Sequence, residues 1–113
     1  MDTASPGPIT EVDVDTFAQA HADGAVVLDV RNPDEYVAGH VAGAKLIPLG
    51  ELGARQDEIP EGDPIYVICA VGGRSLKAAE AMAQAGYNVV NVAGGTKAWI
   101  EQGRPVVTGM NER

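Results

Sequence analysis

The residues that could carry out nucleophilic chemistry in this chain lie next to its single cysteine, Cys69. Six residues follow it as a candidate loop: Ala70, Val71, Gly72, Gly73, Arg74 and Ser75. Glycines adopt backbone conformations that turn successive N–H groups towards one point, and such a cradle holds an anion or a thiolate. A helix beginning near Ser75 adds its positive dipole end. We therefore expect a lowered pKa of the Cys69 thiol and a nucleophile near neutral pH.

An inert buried cysteine is the alternative interpretation of Cys69, because the residue follows the apolar run 65–68 and free cysteines are often buried. The loop favours the reactive interpretation, since glycines, Arg74 and a helix start supply the electropositive surroundings that reactive thiols need. One cysteine forms no internal disulfide and no cysteine cluster for zinc or iron–sulfur. With only two histidines, far apart, the sequence predicts no metal site and no cofactor.

The strands that must position Cys69 are predicted from short apolar runs. Five segments qualify: 9–12, 25–30, 44–47, 65–68 and 88–92. The run 25–30 is too continuously apolar to leave one face in solvent, which favours a strand covered on both sides in a parallel sheet. Ligands of such sheets lie at the carboxyl ends of the strands, which is where Cys69 stands.

Helices are predicted between these strands. The first follows Asp13 as its N-cap and ends at Gly24, and a short one begins at Pro33. Residues 49–59 give a weaker helical pattern, 75–85 the clearest one, and a last helix carries Trp99. Strands that alternate with helices at this spacing indicate a three-layer α/β domain with a mostly parallel sheet.

Length and composition limit the classes of protein. The 113 residues suit one domain, which we place at 9–108, with a flexible N-terminal tail at 1–8 and a C-terminal tail at 109–113. Sixteen acidic against eight basic residues give a net charge of −8, which disfavours nucleic acid and anionic membranes as partners. Because no apolar span and no signal-peptide pattern stands out, we expect a cytoplasmic protein.

Three motifs over about Ile9 to Val106 make this sequence resemble the single-domain rhodaneses, which are sulfurtransferases. The motifs are Cys69-x-x-Gly72-x-Arg74-Ser75; Leu28-Asp29-Val30-Arg31 with Glu35-Tyr36 and Gly39-His40-Val41-x-Gly43-Ala44; and Val92-x-Gly94-Gly95 with Ala98-Trp99 and Gly103-x-Pro105. The resemblance implies a rhodanese-like domain with a five-stranded core, helices on both faces and a cysteine that carries sulfur as a persulfide.

That chemistry requires a small sulfur donor, thiosulfate or a persulfide, and a thiol, cyanide or protein acceptor. Phosphatases and arsenate reductases of the same fold are one alternative, but the resemblance implies a cysteine-to-arginine loop longer by one residue for them. Here four residues separate Cys69 from Arg74, and no aspartate in the loop could act as a leaving-group acid. A binding or sulfur-relay module with negligible turnover is the other alternative.

The motif residues outside the loop are expected to support it. Arg31 and Glu35 are predicted to form an ion pair that fixes a strand-to-helix turn, and Asp29 to accept hydrogen bonds from the loop. His40 is expected to be a hydrogen-bonded structural residue rather than a base. Arg74 either binds an anionic donor or pairs with a neighbouring carboxylate.

Two aromatic positions are expected to have no chemical role. His21, on the first helix, is predicted to lie on the surface. Trp99 is predicted to anchor the last helix to the core.

Overall fold

The computed structural model describes residues 8–113, which form an α/β domain around a five-stranded sheet. The strands are β1 (Thr10–Val12), β2 (Val26–Asp29), β3 (Lys45–Leu46), β4 (Ile65–Ile68) and β5 (Val89–Val92). Their order is β1-β5-β4-β2-β3, and all neighbouring pairs are parallel. The predicted parallel sheet is confirmed, and β4 lies at its centre, which places the residue after it in the middle of the carboxyl edge.

Four α-helices connect the strands: α1 (Val14–Ala22), α2 (Pro33–Ala38), α3 (Gly73–Gln84) and α4 (Gly95–Glu101). Asp13 caps α1 as predicted, because its side chain accepts the Thr16 N–H at 2.8 Å. The helix predicted over 49–59 is wrong. Two short 3₁₀ helices, Leu49–Glu51 and Gln56–Glu58, stand there instead, since the glycines at 50 and 53 disfavour a continuous α-helix.

Apolar side chains alternate between the two faces of the sheet and give each face its own core. On β4, Val67 packs on the side of α3, whereas Ile68 packs on the side of α1, α2 and α4. The second side contains Phe17 and Trp99, whose ring centroids lie 5.6 Å apart. The helices therefore lie on both faces of the sheet, as predicted.

The chain after α4 returns along α2 and the loop that follows it. His40 and Val107 form an antiparallel bridge, and the Gly109 N–H donates to the carbonyl oxygen of Val37 at 2.9 Å. The carbonyl oxygen of Glu112 accepts from Gly43. Residues 109–113, predicted as a tail, thus make backbone hydrogen bonds to the domain. The tail predicted over 1–8 lies outside the described residues except for Pro8, and the bounds 9–108 stay a prediction.

None of the helices within residues 8–113 combines the length and the apolar character needed to cross a membrane.

Candidate active site

Cys69 directly follows β4, and its sulfur faces the start of α3. The Sγ atom accepts the backbone N–H of Gly72 at 3.1 Å and lies 3.3 Å from the hydroxyl oxygen of Ser75. Gly72 adopts a left-handed conformation (φ +112°), which turns the chain back over the sulfur. Of the two loop glycines only Gly72 adopts this conformation, because Gly73 is the first residue of α3 and has no positive φ.

The environment of the Cys69 sulfur favours the thiolate. Burial by itself would raise the pKa of the thiol, since the residue is only 1% exposed. Hydrogen bonds from the hydroxyl and N–H of Ser75 and from the N–H groups of Gly72 and Val71 outweigh burial, so the pKa is lowered from its ordinary value. Cys69 is therefore buried but surrounded by hydrogen-bond donors. An inert buried cysteine, the alternative interpretation, would lack these donors.

The first turn of α4 supports Cys69 and the active loop, residues 70–75, through backbone hydrogen bonds. The N–H groups of Thr96 and Lys97 donate to the carbonyl oxygens of Cys69 and Ala70, at 2.8 and 3.0 Å. A Cβ atom on Gly95 would lie 2.5 Å from both of these oxygens, so only glycine permits the approach. This supporting role is not predicted from the sequence, although the Gly94-Gly95 pair before a helix is a visible signal for close backbone packing.

Arg74 is paired with a carboxylate, which is one of the two roles considered for it. Its Nη1 and Nη2 atoms donate to the two carboxylate oxygens of Glu35 at 2.7 and 2.8 Å. These hydrogen bonds, together with one from the N–H of Asn32 at 3.0 Å, lower the pKa of Glu35 to about 2. The predicted ion pair between Arg31 and Glu35 is therefore wrong, since Arg74 from α3 occupies both oxygens.

Arg31 pairs instead with Asp29 at the end of β2. Its Nε and Nη2 atoms lie 2.8 to 3.1 Å from the carboxylate oxygens of Asp29, and Nη2 also donates to the carbonyl oxygen of Gly39 at 2.9 Å. Asp29 also accepts the Arg31 N–H at 3.0 Å. Its hydrogen bonds therefore come from Arg31 rather than, as had been expected, from the active loop. Both side chains are buried, so this pair fixes the turn between β2 and α2.

The hydroxyl of Ser75 also contacts Asn91 on β5. Its oxygen lies 2.5 Å from the Oδ1 atom of Asn91, and the Nδ2 atom of Asn91 donates to Oε2 of Glu11 at 2.8 Å. Neither Asn91 nor Glu11 is predicted as a site residue. The available signal is that Asn91 is a polar residue inside an otherwise apolar strand, where it is only 1% exposed.

Comparison with known proteins identifies the family. A family model described as the Rhodanese-like domain matches residues 13–102, most of the chain. The chain belongs to the rhodanese-like domain family. The resemblance inferred from the three motifs is thus confirmed, together with the fold it implies.

Individual relatives of this rhodanese domain include proteins with sulfur-handling names. It is 34% identical over 102 residues to a protein of Allochromatium vinosum named sulfurtransferase, covering 88% of this chain and 95% of the relative. It is 40% identical over 94 residues to the Bacillus subtilis candidate sulfur carrier protein YrkF, covering 80% of this chain. The chain spans about half of that second relative, 51% of its length.

Solved structures share the fold of this rhodanese domain. A rhodanese-related protein from Thermoplasma volcanium superposes with a TM-score of 0.81 at 36% sequence identity, over 88% of this chain and 99% of that one.

His40 is fully buried in the rhodanese domain. Its Nδ1 and Nε2 atoms lie 2.8 Å from the carbonyl oxygens of Tyr36 and Asn111, and its ring stacks on that of Tyr36 with centroids 3.6 Å apart. Both ring nitrogens thus face backbone carbonyl oxygens inside the domain.

Of the two remaining predictions for aromatic side chains, one is confirmed and one is wrong. Trp99 anchors α4 as expected, because it is buried and its Nε1–H donates to the carbonyl oxygen of Pro105 at 2.8 Å. The surface position predicted for His21 is wrong. Its Nε2 atom lies 2.8 Å from the carbonyl oxygen of Ala42, and its half-buried ring meets that of Trp99 edge-on.

Proposed function

We propose that this rhodanese domain is a sulfurtransferase that moves a sulfane sulfur from thiosulfate or a persulfide to a thiophilic acceptor through a persulfide on Cys69. The observation that carries the proposal is the Sγ atom of Cys69, held at 3.1 Å from the Gly72 N–H and 3.3 Å from the Ser75 hydroxyl. These donors favour the thiolate, which is the nucleophilic form of the thiol.

The first half-reaction loads the cysteine. The Cys69 thiolate attacks the outer sulfur of thiosulfate, so a bond forms between Sγ and that sulfur while the sulfur–sulfur bond of thiosulfate breaks and sulfite leaves with the electron pair. A persulfide donor reacts in the same way and releases its thiolate. The negative charge then resides on the outer sulfur of the loaded cysteine.

The second half-reaction returns the enzyme to its starting state. Cyanide, a small thiolate or a protein thiolate attacks the outer sulfur, and the electron pair of the broken bond returns to Sγ. Because the sulfur is carried between two separate encounters, ping-pong kinetics are expected. No cofactor takes part in either step.

The active loop offers the loaded sulfur the same N–H groups that serve the thiolate. Preorganised donors stabilise charge that develops beside them, and the segment 70–75 supplies them here. With only four residues between Cys69 and Arg74, the loop suits a single sulfur atom better than a tetrahedral phosphate or arsenate. This spacing supports sulfur transfer over the phosphatase alternative.

The donor that fits this site best is an uncharged or protein-borne persulfide. Arg74 is already neutralised by two hydrogen bonds to Glu35, and the loop residues next to the cysteine, Ala70 and Val71, carry no charge. A net charge of −8 also disfavours an anionic donor such as thiosulfate. We therefore expect a Michaelis constant for thiosulfate near or above about 1 mM, and a low micromolar value would contradict this preference.

A sulfur-relay role is the second candidate, in which a partner protein supplies or removes the sulfur. It is supported by the burial of Cys69, which is 1% exposed, and by the sulfur-carrier name of the Bacillus relative. We place the reaction in the cytoplasm, the compartment in which a single unpaired thiol stays reduced.

The test is a steady-state assay of sulfur transfer from thiosulfate, and separately from a glutathione persulfide, to cyanide. Wild type is expected to form thiocyanate with ping-pong kinetics, and Cys69→Ser to form none. Retention of more than a few per cent of turnover in Cys69→Ser would refute the assignment. Hydrolysis of a simple aryl phosphate at a higher rate than either sulfur transfer would favour the phosphatase alternative instead.

A further inference from the structure

The hydroxyl group of Ser75 lies between two acceptors. Its oxygen is 3.3 Å from Sγ of Cys69 and 2.5 Å from Oδ1 of Asn91, and all three residues are at most 1% exposed. A serine hydroxyl has one proton to donate. It can therefore serve Cys69 or Asn91 at a given moment, and no water is needed to complete the arrangement.

The orientation of the Asn91 amide is determined by its other contacts. Its nitrogen faces Oε2 of Glu11 at 2.8 Å and the carbonyl oxygen of Gly72 at 3.3 Å. Both are acceptors, so the NH₂ group must point towards them and the amide oxygen must point towards Ser75. Asn91 consequently presents Ser75 with a fixed acceptor rather than with a second donor.

The preferred acceptor changes with the state of Cys69. In the thiolate, the full charge resides on Sγ and attracts the hydroxyl proton. In the persulfide, Sγ is bonded to the outer sulfur and no longer carries the charge. The hydroxyl proton then forms the stronger hydrogen bond with Oδ1 of Asn91. The hydroxyl can turn from one acceptor to the other without leaving a buried donor unsatisfied.

We propose that Ser75 is a two-position hydrogen-bond donor and that Asn91, held in orientation by Glu11, is the positioning residue that competes with the Cys69 thiolate for it. Asn91 thereby moderates the stabilisation of the thiolate and supports the loaded state. This inference rests on the proposed function of Cys69 and deepens it by naming residues that set the balance between the empty and the loaded cysteine.

Charged residues around the active loop must remain constant in a test. Arg74 on α3 interacts electrostatically with Cys69 and is paired with Glu35 on α2. Lys97 on α4 binds the loop through its backbone N–H, and the Asp29–Arg31 pair lies at the end of β2. The variants below leave all of these side chains in place, and Glu11 on β1 is also kept.

The experiment measures the pKa of Cys69 from the pH dependence of its alkylation by iodoacetamide, with the ultraviolet absorbance of the thiolate as a second reading. Cys69 is the only thiol in the chain, so the signal needs no correction. Asn91→Leu removes the competing oxygen at similar size and is expected to lower the pKa by about half to one unit, the effect of one modest hydrogen bond. Asn91→Asp strengthens the competing acceptor and is expected to raise the pKa.

The matched control repeats both substitutions in a Ser75→Ala background. There the hydroxyl is absent, so Asn91→Leu is expected to leave the pKa unchanged. An unchanged or raised pKa in Asn91→Leu would overturn the proposal, and so would an equal shift with and without the Ser75 hydroxyl. If Asn91→Leu does not fold, the test rests on Asn91→Asp. A rise in the pKa of Cys69 that is no larger with the Ser75 hydroxyl present than in the Ser75→Ala background would exclude a role for the hydroxyl.

Failure of this inference can be distinguished from failure of the proposed function. If wild type takes up sulfur on Cys69 but substitution of Asn91 leaves the pKa of Cys69 unchanged, only the proposed competition for the Ser75 hydroxyl is wrong. If wild type takes up no sulfur from thiosulfate or glutathione persulfide, the proposed function is wrong, whatever the pKa measurements show.

Discussion

Gly95 brings the first turn of α4 so close to the active loop that no side chain fits between them. A Cβ atom there would lie 2.5 Å from the carbonyl oxygens of both Cys69 and Ala70 and 2.7 Å from the carbonyl carbon of Ala70. All three are backbone atoms, so the clash cannot be relieved by a side-chain rotation, and the two oxygens accept the N–H groups of Thr96 and Lys97. Gly95 also has a left-handed backbone (φ +59°).

Gly95→Ala should therefore combine two destabilising effects. Placing alanine in the left-handed region costs about 1–2 kcal/mol. Forcing apart packed backbone segments adds about 1–3 kcal/mol, the range for overpacking. We expect the free energy of unfolding, measured by urea denaturation, to fall by about 2–5 kcal/mol. The alkylation rate of Cys69 at neutral pH should also fall, because the displaced loop no longer aims its donors at the sulfur.

Gly103→Ala is the matched control for this prediction. Gly103 has a similar left-handed backbone (φ +76°), but a Cβ atom there would meet nothing within 4 Å. The control should lose only about 1–2 kcal/mol and should leave the alkylation rate of Cys69 unchanged. The reasoning is refuted if Gly95→Ala is no less stable than Gly103→Ala and its cysteine reacts at the wild-type rate.

Three further substitutions test the surroundings of the site. Because the pKa of Glu35 is lowered to about 2 in the folded chain, its ion pair stabilises the fold above pH 4.5 and is lost as the pH falls towards 2. Glu35→Gln should thus cost about 1 kcal/mol near neutral pH and almost nothing near pH 2, since the pair is partly solvent-screened; a constant difference in urea denaturation would contradict this. His40→Ala should destabilise the domain by about 2–4 kcal/mol without changing the alkylation rate of Cys69, whereas a slowed rate would implicate His40 in the chemistry. Trp99→Phe should lose about 1 kcal/mol with its hydrogen bond to Pro105, and an unchanged urea midpoint would show that this bond is dispensable.

The sheet and most helices were predictable because their signals are local. Strand β4 follows from the apolar run that the sequence shows, and the alanine-rich stretch after it becomes α3 within two residues of the predicted bounds. The failure at residues 49–59 is also local in origin. Glycines weaken the helical pattern there, and two short 3₁₀ helices form in place of one α-helix.

The position of Cys69 and its loop was predictable, but the partners of the charged side chains were not. Arg74 and Glu35 are 39 residues apart in sequence. They meet because the starts of α3 and α2 lie at the same carboxyl edge of the sheet, after the neighbouring strands β4 and β2. Spacing along the chain instead suggested that Glu35 pairs with the nearest opposite charge, Arg31. In the structure Arg31 forms its ion pair with Asp29. Ion-pair partners across elements depend on tertiary geometry that spacing along the chain does not contain.

Hydrogen bonds between buried polar side chains also could not be predicted from spacing along the chain. Asn91 lies on β5 and Ser75 on α3, and their hydrogen bond depends on how this helix packs against that strand. The presence of an asparagine in a buried strand is a visible anomaly, since such a group needs a partner. Its partner becomes identifiable only when the sheet order, with β5 next to β4, is known.

The central claim, that Cys69 is a thiolate that accepts and carries one sulfur atom, is tested most directly by intact-protein mass spectrometry after incubation with a sulfur donor. Wild type is expected to gain about 32 Da, one sulfur, and to lose that mass on treatment with cyanide or dithiothreitol. Cys69→Ser, treated in parallel, is expected to show no gain. An unchanged wild-type mass with both thiosulfate and glutathione persulfide, or an equal gain in Cys69→Ser, would contradict the claim.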